Sequence, residues 1–342
     1  MLTQQFRPKV FKEVSGQDLV KKALKAIIKN PESAPKVLIL QGAYGTGKTS
    51  LARIFARALN CKHTIDGEPC GECEVCKNIE DTIYYNEYDS ALVGNVESVK
   101  SLRDYFVNNT DSYWKVITID EFHLVSVQAQ SALLKIFEES TSKIFFILCT
   151  TNIENILKPL RSRALELNLT LIPDDIIKSN LREIIRVKEI NIEESVLDLI
   201  VLRARGHLRD AHMLLDRYCL LEKEDFITSI NSAREYFIKF LTCCVLQNKE
   251  KAARYIYLLQ GFTLSDLKQD YESVILEILK VSLQVEEPKD EGIKALCNLI
   301  GYKTLKLYYI LMQDIVFNSF TGDKLFQAAC WFIYTQTNGF NK

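Results

Sequence analysis

Short apolar runs alternate with amphipathic stretches over the first 170 residues of this 342-residue chain. Apolar, often β-branched runs are typical of buried strands, and apolar residues every third or fourth position are typical of helices. The pattern predicts strands at Val37–Gln41, Ile83–Tyr88, Val116–Asp120, Ile144–Thr150 and Leu165–Leu169. It predicts helices at Leu19–Ile28, Ser50–Leu59, Val96–Val107 and Ala129–Glu139. This alternation favours an α/β fold with a parallel sheet that is covered on both faces.

The strand signals stop after about residue 170, and the remaining pattern is helical. Pro173 and the two aspartates after it open the first of these helices, and helical patterns continue to Glu222. A last helical stretch begins near residue 225, with predicted helices at Tyr236–Leu246, Lys251–Leu259, Leu264–Leu283 and Ile293–Ile315. The pattern therefore divides the chain into residues 1–170, 171–224 and 225–342.

The turn between the first strand and its helix carries the most specific chemical signal. It reads Gly42-Ala43-Tyr44-Gly45-Thr46-Gly47-Lys48-Thr49 and is followed by Ser50. Glycines let backbone N–H groups turn toward phosphates, and a helix N-terminus adds partial positive charge. Lys48 is expected to neutralise the β- and γ-phosphates, and Thr49 to offer its hydroxyl to Mg²⁺. The sequence predicts that residues 42–50 bind ATP or GTP.

The second chemical signal is a pair of acidic residues at the end of the strand Val116–Asp120. Asp120 is the last residue of this strand and is followed by Glu121, Phe122 and His123. Asp120 is expected to hold Mg²⁺, and Glu121 to orient and polarise the attacking water. His123 has two interpretations: it couples the nucleotide state to a neighbouring group, or it is a structural histidine.

Two polar features near the end of the predicted sheet are ambiguous on the residues alone. Thr151 follows the strand that ends at Thr150, where a hydroxyl either senses the γ-phosphate or bonds within a turn. Such a residue would lie between the active ends of the first strand and the Asp120 strand. Arg161 and Arg163 are either solvated arginines or a finger that reaches into a neighbour's site.

Four cysteines, Cys61, Cys70, Cys73 and Cys76, lie close together after the second predicted helix. Two C-x2-C steps fit the tetrahedral all-thiolate geometry of structural zinc. Four sulfurs complete the shell, so the metal is expected to pin an insertion at residues 61–76 rather than to catalyse.

Composition places bounds on partners and location. The formal net charge is −1, so contacts with nucleic acid must be local. No apolar run approaches a membrane span, and the N-terminus lacks the apolar core of a secretory signal. We expect a cytoplasmic protein with reduced cysteines and no membrane partner.

The order of these motifs resembles the clamp-loader ATPase subunits of the AAA+ family, of the bacterial DNA polymerase III gamma/tau type. The resemblance covers nearly the whole chain. It begins at residues 6–17, which look like a segment that packs near the adenine, and continues through the phosphate loop, the four cysteines, Asp120–His123 and residues 132–139. The four-cysteine insertion separates this family from the eukaryotic and archaeal loaders.

The resemblance implies roles for three further residues. Thr151 falls on sensor 1, Arg163 on the arginine finger that acts in trans, and Arg209, in Gly206–Ala211, on sensor 2. The family's Ser-Arg-Cys motif has cysteine where this chain has Ala164; both are small, and the finger is expected to be retained. With Lys48 and Glu121, these residues form the expected catalytic set.

By the same resemblance, residues 1–170 form a P-loop AAA+ core, 171–224 a helical lid with sensor 2, and 225–342 an all-α collar that holds a ring together. The expected function is an ATP-driven loader that opens a sliding clamp and places it on primer–template DNA, which triggers hydrolysis. Expected partners are the other loader subunits, in a hetero- or homo-oligomeric ring of about five AAA+ positions, the clamp and primed DNA. ATP, Mg²⁺ and structural Zn²⁺ are the expected cofactors.

Two details and two alternatives complete these expectations. The chain ends after the collar, as in the short gamma form, and its source is a bacterium or a bacteriophage. Another AAA+ motor on DNA, such as a branch-migration ATPase, has no reason to carry the four cysteines. A nucleotide-binding scaffold that does not hydrolyse is disfavoured by the intact Lys48 and Glu121.

Overall fold

The computed structural model of the chain describes residues 1–107, 112–139, 143–223, 226, 233–259, 264–285, 287–288 and 291–299. The chain forms two compact units, Met1–Glu222 and Lys223–Lys342.

A five-stranded sheet is the centre of the first unit. Every pairing in it is parallel, and the strand order is β2-β3-β4-β1-β5. The strands are β1 (Val37–Gln41), β2 (Tyr85–Asp89), β3 (Lys115–Asp120), β4 (Ile144–Thr150) and β5 (Ala164–Asn168). Because the strands are parallel, their carboxyl ends meet at one edge, with β4 between β1 and β3, as the sequence predicted.

Helices pack on both faces of this sheet. They are α1 (Leu2–Gln5), α2 (Asp18–Lys29), α3 (Lys48–Asn60), α4 (Glu74–Asn78), α5 (Val96–Val107), α6 (Val127–Glu139) and α7 (Lys158–Arg161). One apolar core joins α2 and α3 to one face, and a second joins α6 to the other face. Residues Ile144–Thr150 are buried throughout, which explains why β4 is a continuous apolar run rather than an alternating one.

Helix α3 and strand β3 are joined at both ends. The Asn60 amide, at the end of α3, donates to the Trp114 carbonyl at 2.8 Å and accepts from the Trp114 N–H at 2.8 Å. At the other end, the Thr49 hydroxyl donates to Asp120 Oδ2 at 2.9 Å. Helix α3 and strand β3 therefore form a closed frame. The hydrogen bonds between Asn60 and Trp114 fix one end of this frame and so help to hold Thr49 next to Asp120 at the other end.

Three helices follow the sheet within the first unit: α8 (Asp174–Lys188), α9 (Glu194–Ala204) and α10 (Leu208–Tyr218). They are tied back to the sheet region by side chains. The Gln17 amide pairs with the backbone of Thr170, donating to its carbonyl at 2.7 Å and accepting from its N–H at 3.1 Å. Leu2 N donates to Asp216 in α10 at 2.8 Å, so the N-terminal helix lies against this helical part.

The described part of the second unit is helical. Its helices are α11 (Ala233–Val245), α12 (Lys249–Leu259), α13 (Leu264–Ser282) and α14 (Glu291–Leu299). Large side chains such as Phe237, Phe240 and Tyr271 form its core. Arg234 and Glu277 form a buried ion pair at 2.7 Å between α11 and α13.

Most predicted elements agree with the structure to within a few residues. The predicted strand at Ile83 begins instead at Tyr85, because Ile83 is exposed and follows a 3₁₀ turn at Ile79–Asp81. The predicted helix Ile293–Ile315 is described as far as Leu299, and its remainder lies outside the described residues. None of the helices within those described ranges combines the length and apolarity that crossing a membrane requires.

Candidate functional site

The phosphate loop joins β1 to α3 at the carboxyl edge of the sheet. Gly45 and Gly47 have φ of 72° and 100°, which side chains rarely adopt, so the loop needs glycine at both positions. Lys48 is 5% exposed, and its Nζ donates to the carbonyls of Gly42 at 2.9 Å and Ala43 at 3.1 Å. A buried cation is thus held against the loop backbone at the N-terminus of a helix, an arrangement suited to phosphate oxygens.

The end of β3 meets this helix terminus. Thr49 donates to one oxygen of Asp120, and the other oxygen accepts from the Glu121 N–H at 2.9 Å. A hydroxyl and a carboxylate side by side beside a phosphate loop match the oxygen ligands that Mg²⁺ takes. Glu121 has a left-handed backbone with φ of 49°, which turns its side chain away from the strand direction.

His123 lies between Glu121 and Thr151. Its Nδ1 lies 3.4 Å from Glu121 Oε2, and its Nε2 lies 3.5 Å from the Thr151 hydroxyl. The side chain is 15% exposed, and Nδ1 is buried without a hydrogen bond to any described residue. Since β3 and β4 are neighbours, the imidazole spans from the expected water-polarising group to the expected γ-phosphate sensor. Contacts of this kind fit both of the sequence interpretations of His123.

Arg209, at the start of α10, rests on the phosphate loop. Its guanidinium lies 4.9 Å from the centroid of the Tyr44 ring and donates to the Tyr44 hydroxyl. His207 Nδ1 lies 2.6 Å from the Tyr44 carbonyl oxygen. A side chain at Gly45 would come within 3.2 Å of Arg209 Cβ, so the helix and the loop approach closely at this glycine.

The phosphate loop, Asp120, Glu121 and Arg209 line one pocket of about 350 Å³ between the sheet edge and the helical part, whereas His123 and Thr151 are not among its lining residues. Its walls include the phosphate loop, Asp120 and Glu121, Arg209, and residues of the N-terminal segment. Arg7 belongs to that segment, and its Nε donates to the Ser50 hydroxyl at 3.3 Å. Burial and the neighbouring Arg53 lower the pKa of Arg7. The segment that was expected near the base therefore lines the same pocket as the phosphate loop.

Arg163 lies elsewhere, at the start of β5 and outside the lining of this pocket. It is 52% exposed, pairs with Glu138 of α6 at 2.9 Å, and donates to the Pro159 carbonyl at 3.1 Å. The other arginine of the motif, Arg161, pairs with Glu166 at 2.9 Å. The structure thus brings the loop, Asp120, Glu121 and Arg209 together and leaves Arg163 at the surface.

The four cysteines converge as the sequence predicted. The sulfur atoms of Cys61, Cys70, Cys73 and Cys76 all lie within 4.8 Å of one another. The Cys70–Cys76 and Cys61–Cys73 sulfur separations are 3.9 and 4.0 Å. Tetrahedral zinc with bonds of about 2.3 Å places its sulfurs about 3.8 Å apart, so the cluster fits zinc closely.

The backbone around the cluster favours a thiolate at Cys70. The N–H groups of Cys73 and Glu72 point at Cys70 and lower the pKa of that thiol to about 6. Burial raises the pKa of Cys76, and metal binding is what would keep such a buried thiol deprotonated. Lys25 of α2 pairs with Glu68 inside the insertion, which ties the cluster to the core.

Sequence reasoning missed four polar residues of the pocket: Thr3, Gln4, Asn180 and His212. They come from three separate segments and match no motif. In the sequence only His212 gave a signal, and that signal was weak. His212 lies among apolar residues on the inner face of a helix, and a buried polar side chain there needs a hydrogen-bond partner.

Comparisons with known proteins identify relatives of this chain. A family profile described as "DNA polymerase III, delta subunit" matches residues 16–172. A DNA polymerase III subunit gamma of Buchnera aphidicola subsp. Schizaphis graminum is 36% identical over 231 residues, covering 66% of this chain and 62% of the relative. The subunit gamma of Buchnera aphidicola subsp. Acyrthosiphon pisum is 30% identical over 291 residues, covering 82% of this chain and 78% of the relative. The chain thus spans less than two thirds of the first of these relatives.

A solved structure of a Thermotoga maritima RuvB mutant covers 90% of this chain and 99% of its own, with a TM-score of 0.50 and 19% identity. At this identity the likeness concerns the fold alone. It agrees with the P-loop AAA+ fold that the sequence predicted.

Proposed function

The chain belongs to the gamma/tau family of DNA polymerase III subunits, and from this we propose that it is an ATP-hydrolysing subunit of a sliding-clamp loader. The observation that carries the proposal is the joint between Thr49 and Asp120 at the mouth of the phosphate loop. This joint supports the proposal because it brings the phosphate loop next to the carboxylate at the end of β3, on a fold similar to that of RuvB. The roles of individual residues below are part of the proposal.

Each side chain has a distinct task at the pocket. The Lys48 ammonium, which donates to the carbonyls of Gly42 and Ala43, would donate to phosphate oxygens instead when a nucleotide binds. The negative charge of the phosphates would then neutralise this buried cation. Thr49 and Asp120 would hold Mg²⁺, which when bound neutralises charge on the β- and γ-phosphates. Glu121 would orient the attacking water, and Thr151 and Arg209 would contact the γ-phosphate from two sides.

Arg163 fits a role in trans. Because it lies outside the lining of its own pocket and is half exposed, its guanidinium is accessible to a site on another subunit. Its pairing with Glu138 holds the guanidinium at the surface until a neighbour docks. Hydrolysis would then remove contacts that bridge two subunits, which links the nucleotide state to assembly.

The remaining parts follow the family. Residues 171–224 would be the lid that carries Arg209, and residues 225–342 the collar that holds the ring. The clamp, primed DNA and the other loader subunits would be the partners, and DNA would be gripped through its backbone charge. The zinc cluster would be structural, since all four of its ligands are protein sulfurs and no open position is left for a substrate.

The test is complementation between two inactive variants. The Lys48→Ala variant retains the arginine finger, Arg163, but loses the lysine that contacts the phosphates. The Arg163→Ala variant retains a complete nucleotide pocket but loses the arginine finger. Each is expected to hydrolyse ATP at least ~100-fold more slowly than wild type, in line with the loss of an arginine finger. When the two variants are mixed with a candidate clamp and primer–template DNA, ATP hydrolysis should recover. In the mixture, a subunit with an intact nucleotide pocket can lie next to a subunit with an intact Arg163.

Arg186→Ala, an exposed arginine of α8, is the matched control and should hydrolyse at the wild-type rate. Clamp and primed DNA together should stimulate the wild type, and double-stranded DNA without a primer end should not. Normal hydrolysis by Arg163→Ala would reject the trans finger. A wild-type rate that ignores clamp and primed DNA would reject the loader while leaving the ATPase intact.

A further inference from the structure

A second pocket of the first unit, of about 410 Å³, is lined mainly by charged side chains. Four of them are cations and one is a carboxylate: Arg7, Lys9, Arg53, Arg57 and Glu80. Arg7 also lines the pocket at the phosphate loop, so the two pockets are neighbours. We call the second one the arginine pocket. Because like charges in one recess raise its positive potential, a surplus of cations there favours an anionic ligand.

The carboxylates at this pocket are already engaged. Glu80 accepts from Arg57 Nη2 at 3.2 Å through one oxygen and from Arg53 Nη1 at 2.8 Å through the other. Arg53 also donates from Nε to Glu87 at 2.8 Å. Arg53 therefore has two carboxylate partners, whereas Arg57 shares its one carboxylate with Arg53. The pocket thus keeps uncompensated positive charge, in part on Arg57.

Arg57 is the most deeply buried cation of the arginine pocket. The residue is only 5% exposed, and its Nε is enclosed without a hydrogen bond to any described residue. Burial lowers the pKa of the Arg57 guanidinium, and Glu80 opposes this effect without cancelling it. A buried charged group with unused donors costs free energy unless a further partner joins it. An anion in the pocket would supply the negative charge that Glu80 alone does not.

Arg7 and Lys9 add donors that no described carboxylate holds. Arg7 Nε donates to the Ser50 hydroxyl at 3.3 Å, and its two terminal nitrogens pair with no acid in the described part of the chain. Lys9 is exposed, and its backbone N–H, not its ammonium, donates to Glu13 at 2.7 Å. Together with Arg57, the arginine pocket thus presents two guanidinium groups and one ammonium to a ligand.

We propose that the arginine pocket binds an oligophosphate anion. A planar guanidinium donates two parallel hydrogen bonds to a carboxylate or a phosphate. A carboxylate has two oxygens and can match one such group, whereas two linked phosphoryl groups can match two guanidinium groups and an ammonium at once. The volume also suits a ligand larger than a single phosphate. This inference goes beyond the proposed function, because it concerns a site outside the phosphate loop.

The experiment is calorimetric titration of pyrophosphate into the full-length chain, after a slowly hydrolysed ATP analogue with Mg²⁺ has filled the phosphate loop. The wild type is expected to bind one equivalent of pyrophosphate. Arg57→Gln removes the buried charge and should weaken pyrophosphate binding about 10-fold to 100-fold. Lys9→Gln removes an exposed charge and should weaken it about twofold to fivefold. Arg186→Gln, at an exposed position of α8 outside the pocket lining, should leave the affinity unchanged.

The titration of the analogue itself distinguishes two sources of the oligophosphate. One bound equivalent, followed by pyrophosphate binding, indicates a free oligophosphate. Two equivalents, of which Arg57→Gln loses one, indicate that a nucleotide brings the oligophosphate to the arginine pocket. Absence of both pyrophosphate binding and a second equivalent would overturn the inference. Succinate that binds as tightly as pyrophosphate would overturn the choice of phosphate over carboxylate.

Thermal melting reports whether Arg57→Gln folds, since the change also takes a partner from Glu80, and Lys9→Gln carries the comparison where it does not. Unchanged pyrophosphate affinity in every folded variant would also overturn the inference. If the wild type binds no ATP analogue, the proposed function fails. Pyrophosphate titration into Lys48→Ala then tests the arginine pocket alone, because that variant lacks the cation of the phosphate loop.

Discussion

The contact between Tyr44 and Arg209, the proposed γ-phosphate sensor, predicts the effect of Tyr44→Phe. The guanidinium stacks on the Tyr44 ring and donates to its hydroxyl. To contact a γ-phosphate, Arg209 must give up the hydroxyl. Removing that hydroxyl should therefore tighten ATP binding, because less free energy is lost when the arginine moves.

The magnitude follows from the surroundings of the contact. A hydrogen bond from a charged donor contributes about 1.5–3 kcal/mol when it is well shielded. Tyr44 is 49% exposed, so screening reduces the contribution to about 0.5–1 kcal/mol. This corresponds to a gain of about twofold to fivefold in ATP affinity. Tyr44→Ala also removes the stacking, worth about 0.5–1 kcal/mol at an exposed site, and should tighten binding further.

The assay is titration calorimetry with a slowly hydrolysed ATP analogue and, separately, with ADP. Since ADP has no γ-phosphate, its affinity should not change in Tyr44→Phe. Tyr218→Phe is the matched control, because its hydroxyl donates to the Asn191 carbonyl at 3.1 Å and touches no part of the phosphate loop. An unchanged affinity for the ATP analogue, or an equal gain for ADP, would refute the reasoning.

Three further predictions concern zinc, His123 and His212. Metal analysis should find zinc in the wild type, and Cys73→Ser should lose it and melt at least about 2–4 °C lower; equal melting temperatures would argue against a structural metal. His123→Ala should lower the rate of ATP turnover about 10-fold with ATP affinity unchanged, because Glu121 and Thr151 would lose the group between them; a matching loss of affinity would indicate a structural histidine. Because burial lowers the pKa of His212 to about 4, its contribution to stability should be complete above pH 6.5 and decline toward pH 4. The decline is at most about 3 kcal/mol, and urea unfolding at several pH values should show a shallower pH dependence for His212→Leu.

The predicted and the missed parts of the site differ in how far apart their residues lie in the chain. The phosphate loop was predictable because a strand, a glycine turn and a helix start are contiguous, and each is specified by local residue types. The cysteine cluster was predictable for the same reason, since residues 61–76 contain all four ligands. The parallel sheet followed from the alternation of elements.

Contacts between distant segments left no such pattern. The bond between Arg209 and Tyr44 joins residues 165 positions apart, and that between Gln17 and Thr170 joins residues 153 positions apart. An amide or an arginine at those positions fits a solvated surface equally well until the fold is known. Asn180 and His212 were missed because they meet Ser15 only after two helices pack against the N-terminal segment.

The closed frame of α3 and β3 limits where this chain can change its length. Thirteen helical residues and six strand residues both span about 20 Å, so the two sides of the frame match. One residue inserted into α3 would shift its start by about 1.5 Å and rotate it by about 100°, and the Thr49 hydroxyl would no longer face Asp120. The cysteine-bearing residues 61–76 leave the frame at its corner, directly after Asn60. At that corner a segment can be added or lost without altering the residue count of either side, whereas within the two sides any change in the count would move Thr49 out of register with Asp120.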